Sequence, residues 1–149
     1  MNIIQIDDLI SMWENDSTID QTDPGKEILR IPNIHAKYAK QHVLHSLAIK
    51  KCSMDYSRMK KIKWEYYTGK LNGDEETLKK YNLEPFRLTL KSDVSTYLDS
   101  DEDLQKINAK KILHEQAVEL CTIILKELNN RTWQIKEYMG WEKFIQGQH

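Results

Sequence analysis

The residues best equipped for chemistry lie in the stretch KKIKWEYYTGK, residues 60 to 70. Lys60, Lys61, Lys63 and Lys70, with Arg58 just upstream, supply positive charge, and Trp64, Tyr66 and Tyr67 supply aromatic planes. Single-stranded nucleic acid is held by that combination, with cations along the phosphates and rings against the bases, each stacked base worth about 1–3 kcal/mol. The same residues also describe the wet and dry sides of one helix. Ile62, Tyr66 and Gly69 share a face, which favours packing for Tyr66, and lysines commonly line a solvated face with their stems on apolar surface. Trp64 and Tyr67 are open to either use.

Other constellations are weaker. DSDED places Asp99, Asp101 and Asp103 at the alternate spacing that starts a calcium loop, but Leu104 stands where that loop needs glycine and Lys110 where it needs glutamate. A helix cap at Asp99 or Ser100 needs only what is present. His42 and His45 are one helical turn apart, with His35 upstream, and no cysteine or carboxylate lies close in sequence to complete a metal site. HEQAV, from His114, lacks the second histidine of a zinc-protease helix. The five glycines cannot build a phosphate-binding loop. No enzyme, metal or cofactor is expected.

These residues need a scaffold. The 149 residues suffice for one domain, and 40% hydrophobic with 30% charged residues, two phenylalanines and little turn chemistry point to an all-α fold. No apolar run is long enough to span a membrane, and the acidic N-terminus lacks the basic start of a secretory signal. Cys52 and Cys121 have no C-x-x-C pairing and read as reduced thiols of a cytoplasmic protein. The net charge of −1 conceals a polarity of −6 over residues 1–25, +8 over 26–70 and −3 over 71–149. A concentrated basic segment attracts polyanions even in a neutral protein, or else balances its acidic flanks within the fold.

Along the chain, residues 3–14 have the spacing of a short amphipathic helix, and NDSTIDQTDPG reads as the rest of an acidic N-terminal arm, residues 1–25. Asn33, after Pro32, is the expected start of a long basic helix over 33–69 that ends at Gly69. Residues 70–98 form a connector, with a short helix around 75–82 and an extended piece near FRLTLKSDV. Residues 100–149 carry apolar C-terminal helices broken at NNRT, with Thr132 starting the last one. Leu120, Ile124, Leu128, Trp133, Trp141 and Phe144 are the expected oligomerisation residues, since aromatic weight without a core of its own suggests docking on another subunit.

Taken together, KIKWEYYTGKLNGDE, the downstream NNRTWQIKEYMGWEKFIQG and the N-terminal DDLISMWENDSTIDQT resemble the UvsY-type recombination mediators of T-even-like phages. The family motif L-K-A-R-x-x-Y-x-x-G falls on KKIKWEYYTG. Lys61, Tyr66 and Gly69 match it, Lys63 stands at the arginine, and Lys60 and Ile62 replace the leucine and alanine. The resemblance implies a non-enzymatic protein of the infected host's cytoplasm that binds single-stranded DNA without sequence preference. It also implies contacts with a RecA-class recombinase and with single-stranded DNA-binding protein. Assembly is implied too, as an elongated helical hairpin with short C-terminal helices that builds a homo-oligomeric ring of six or seven subunits. By position, Lys61 and Lys63 are the implied DNA contacts. Lysine at 63 keeps the charge of arginine but loses its bidentate fork. The competing reading of the same residues is a helical adaptor that binds only proteins.

Overall fold

The computed structural model describes residues 2–87 and 90–147. It is all-α: α1 (Ile6–Asp16), α2 (Pro24–Tyr67), α3 (Glu75–Lys80), a 3-10 turn (Lys91–Asp93), α4 (Val94–Asp99) and α5 (Glu102–Ile145). The extended piece expected near FRLTLKSDV falls partly on Leu88 and Thr89, outside the described residues, and its end is the 3-10 turn and the start of α4. The chain divides into two compact units, Met1–Leu47 with Leu113–His149, and Ala48–Ile112.

Helix α2 starts well before Asn33. Asp23 caps it, its carboxylate accepting the Lys26 N–H at 3.2 Å, and Pro24 takes the first helical position, where a missing N–H costs nothing. The Asp-Pro-Gly read as a turn is therefore a helix start. Pro32 lies inside the helix on its exposed side, where water can serve the carbonyl that proline leaves unbonded. Helix α5 likewise runs unbroken through Asn129, Asn130 and Thr132, so the expected short C-terminal helices are one 44-residue helix. Arg131 and Ile135 are buried on its inner face, and that burial outweighs the weak preference of asparagine for helix ends.

In the first unit, Ile34 and Tyr38 of α2 meet Ala117, Cys121, Ile124 and Leu128 of α5, with Leu9 of α1 fully buried among them. Ile124 and Leu128 thus belong to the chain's own core rather than to an oligomer seam, and Leu120 packs partly against the same cluster. The acidic N-terminal segment is not a loose arm. Asp16 receives the Tyr38 hydroxyl at 2.8 Å and pairs with Lys37, while Arg131 donates to the carbonyls of Asp16 and Ser17 that end α1. Burial works against the Asp16 carboxylate, yet its bonds with Lys37 and Tyr38 hold it below the ordinary range.

From His114 on, the buried positions of α5 recur at 114, 117, 121, 124, 128, 131 and 135, the three-four alternation of a helix seam. Several seam positions on the two long helices are polar, and each has a partner. Gln41 accepts the Ile4 N–H at 2.8 Å and donates to the Asn2 carbonyl. His45 and His114 face each other through Nδ1 atoms 2.8 Å apart, and His45 Nε2 lies 2.8 Å from the Ile4 carbonyl. A carbonyl only accepts, so His45 carries its proton on Nε2 and accepts the Nδ1–H of His114. His45→Ala is expected to lower stability by about 1–3 kcal/mol through the buried groups it leaves without partners, measured by urea unfolding. An unchanged midpoint would refute this account of the pair.

The second unit holds Val94, Leu98 and Leu104, with Tyr56, Met59 and Tyr67 packed on them. Tyr66, Tyr67, Phe86 and Tyr97 form a ring cluster with neighbouring centroids 5.1–5.4 Å apart. Gly69, at φ +83°, closes α2 with paired bonds from Gly69 N to Tyr66 O and from Lys70 N to Glu65 O. This closing pattern uses a left-handed residue just past the helix, where glycine has no Cβ penalty.

Candidate nucleic-acid interface

The basic residues of α2 in the second unit separate into an exposed set and one buried exception. Lys50, Lys51, Arg58, Lys60, Lys61 and Lys70 are exposed. At 3.6 residues per turn, Lys50, Arg58 and Lys61 fall within about 80° of one another around the helix. Lys51 and Trp64 flank this arc and the exposed Met54 lies within it, whereas Lys60 points away from Arg58. One carboxylate, the half-buried Glu65, shares the arc, and no ion pair joins it to Lys61. The arc is a strip of cations with open ends, suited to a phosphate chain. Lys50 and Lys51 were not singled out from the sequence; the eleven-residue step from Lys50 to Lys61, close to three helical turns, is the signal that finds them.

Trp64 is 42% exposed, and the Lys70 ammonium sits 4.2 Å from its ring centroid. The Gly69 turn carries Lys70 back over α2 and makes this cation–π contact. Together they offer a flat ring and a cation at one end of the arc. Tyr66 and Tyr67 are committed elsewhere. The Tyr66 hydroxyl donates to the Glu84 carbonyl at 2.7 Å, and that of Tyr67 to the Asp101 carboxylate at 2.6 Å. Burial first, then that bond, pushes the Tyr67 hydroxyl far above its ordinary pKa.

Lys63 is the exception, and it corrects the expectation that it contacts DNA. It is only 4% exposed, and its ammonium lies 3.2 Å from Asp101 and 2.7 Å from Asp103. On α2 it stands half a turn or more from Lys61, toward α5, so the motif's two basic positions face different surroundings. Burial alone would lower the Lys63 pKa, but the two carboxylates outweigh it and raise it. Asp101 is also the N-cap of α5, accepting the Leu104 N–H at 3.0 Å, rather than the expected Asp99 or Ser100 just before it. A single buried carboxylate thus joins α2 to the start of α5, with its ionised form stabilised by Tyr67, Leu104 and Lys63 against the cost of burial.

The remaining expected residues are split. Trp133, Trp141 and Phe144 are 65%, 58% and 63% exposed, with the rings of Trp141 and Phe144 stacked at 5.9 Å. The last turns of α5 thus carry exposed aromatic surface. Among the described residues no group of three or more metal-ligating side chains occurs, and no helix is long and apolar enough to cross a membrane.

Comparison with known proteins gives a consistent result. The family profile described as "Recombination, repair and ssDNA binding protein UvsY" matches residues 12–148. The recombination protein uvsY of Enterobacteria phage T4 is 24% identical over 148 residues, spanning 97% of this chain and 99% of its own. Two crystal structures of the bacteriophage T4 recombination mediator protein UvsY superpose with TM-scores of 0.78 and 0.77. They are 20% and 21% identical, covering 95% and 92% of this chain and 97% and 98% of theirs. At that identity they establish a shared fold.

Proposed function

The chain belongs to the UvsY family of recombination, repair and single-stranded-DNA-binding proteins, and we propose on that premise that it loads a RecA-class recombinase onto DNA covered by single-stranded DNA-binding protein. In this reading it acts in the cytoplasm of an infected bacterium, without chemistry of its own, by holding single-stranded DNA and contacting both proteins. The observation that carries the DNA-binding step is the exposed arc of Lys50, Arg58 and Lys61, flanked by Lys51 and by Trp64 with Lys70. Lys61 and Arg58 are its centre; Lys60 contributes at the margin; Lys63 supports the helix from behind.

A monomer with net charge −1 and one short cationic arc binds DNA weakly. Repetition changes that. The exposed aromatic face of Trp133, Trp141 and Phe144 supports self-assembly into a ring of about six or seven copies, in which each further contact with one strand is effectively intramolecular. Binding should be strongly salt-dependent, because each neutralised phosphate of a single strand contributes about 0.7 to the slope of log affinity against log salt.

Lys61→Ala is expected to weaken binding of labelled single-stranded DNA and reduce that slope, while stability stays within about 0.5 kcal/mol because the side chain is exposed. Fluorescence anisotropy at two salt concentrations, beside urea unfolding, checks both halves. Absence of binding by the unaltered chain at low salt would overturn the reading. The aromatic face would then favour an adaptor that binds only proteins.

A further inference from the structure

A cavity of about 270 Å³ opens beside the basic arc within the second unit, lined by Asp55, Arg58, Met59, Ile62, Tyr81 and Ile107. Its make-up differs from that of the arc. Met59, Ile62 and Ile107 provide an apolar lining, Tyr81 adds an aromatic ring, and Asp55 and Arg58 bring opposite charges. Asp55 is half-buried, and neither it nor Arg58 has a side-chain hydrogen bond or ion pair among the described residues. A carboxylate beside a cationic strip repels phosphate, so it weakens a surface that grips only the backbone. It suits a ligand that presents a hydrogen-bond donor next to a phosphate.

We propose that this cavity is a nucleobase subsite that takes a base bearing an exocyclic amino group from the strand held on the arc. The inference rests on the single-stranded-DNA reading above and adds base discrimination to it. An ionised carboxylate only accepts, and the amino group of cytosine is a donor that aspartate is suited to receive. Thymine presents a carbonyl at the same ring position, which would face the carboxylate acceptor to acceptor. The apolar residues and Tyr81 accommodate the ring, as unstacked bases are generally held against aromatic and apolar side chains. Arg58, at the same cavity and on the arc, serves the flanking phosphate. The resemblance to the family implies binding without sequence preference; this subsite superimposes a modest bias on that binding.

The test compares oligo(dC) and oligo(dT) of equal length at neutral pH, two pyrimidine polymers of similar size, with the full chain and with Asp55→Asn. The amide is isosteric and Asp55 has no partner to lose, so the variant keeps the fold, which circular dichroism verifies. The quantity read is the dC-to-dT affinity ratio, because polymer stiffness affects both proteins alike. That ratio is expected to be about threefold or more higher for the unaltered chain than for Asp55→Asn, the size of one partly exposed hydrogen bond to a charged group. Equal ratios in the two proteins, with both oligomers bound, would overturn the subsite and leave DNA binding intact. Failure of both oligomers to bind at low salt would instead overturn the DNA reading and this inference with it. A change of particle mass in Asp55→Asn without DNA would assign the cavity to contact between copies of the chain and also overturn the subsite.

Discussion

Lys63→Ala is expected to destabilise the second unit by about 3–5 kcal/mol, although in the sequence it looks like the removal of a DNA contact. The substitution leaves the Asp101 carboxylate, buried like Lys63 itself, without its cation, and frees Asp103, which is 44% exposed and can turn to water. Removing one member of a buried pair costs far more than the pair contributes, because the remaining charge stays desolvated. Loss of DNA binding in a Lys61/Lys63 double variant would therefore not identify a DNA contact. The single variants separate the two roles: Lys63→Ala lowers the unfolding midpoint, and Lys61→Ala lowers affinity. A Lys63→Ala protein with unaltered stability and weakened binding would show that the side chain reaches DNA after all.

The same site carries a pH signature. Burial would raise the Asp101 pKa, but the Tyr67 hydroxyl, the Leu104 N–H and Lys63 hold it below its ordinary 3.8. A carboxylate depressed in the folded state stabilises the fold above its unfolded pKa, and that contribution is lost as pH falls through the folded value. In the unaltered chain the loss thus lies below 3.8. Removing Lys63 withdraws one stabiliser of the charged form, raises the folded pKa, and moves the acid transition to higher pH. Acid unfolding followed by circular dichroism measures that displacement.

Trp141→Glu combined with Phe144→Glu is expected to reduce the particle to smaller species and to lower single-stranded DNA affinity by about 10²–10⁴-fold without unfolding the chain. Both side chains are mostly exposed, so new charges there spare the chain's own core and act on the proposed contact between copies. Light scattering gives the mass and anisotropy the affinity. Unchanged mass would remove the C-terminal face from assembly. The contrast is with Ile124 and Leu128, which were grouped with these aromatics from sequence but lie in the core of the first unit. Truncating either would act on folding, at about 2–5 kcal/mol each.

The helical class, the basic segment and the end of α2 at Gly69 were legible without coordinates, because each depends on local composition or on one backbone preference. Helix boundaries were less so. Pro32 and the Asn129-Asn130 pair are ordinary breakers, and burial on the inner faces carries both long helices through them. Within the candidate site, Arg58, Lys60, Lys61 and Lys70 lie exposed, and so do Lys50 and Lys51.

Side-chain roles along the seam depend on partners distant in sequence. Glu27, Gln41, His45 and Lys63 on α2, with His114 and Arg131 on α5, are polar residues that reading by hydropathy assigns to the wet face. They are buried because Arg30, the backbone of Asn2 and Ile4, a facing histidine, two carboxylates, and the carbonyls ending α1 supply hydrogen bonds or charge where they lie. Sequence by itself determined an all-helical chain with a concentrated cationic stretch and a family motif, since periodicity and charge are properties of neighbours. Only the tertiary structure decided which cations remain in water. Burial of a charge is settled by whether another element brings a counter-charge to it, and Asp101, 38 residues after Lys63, does so for that lysine and not for Lys61.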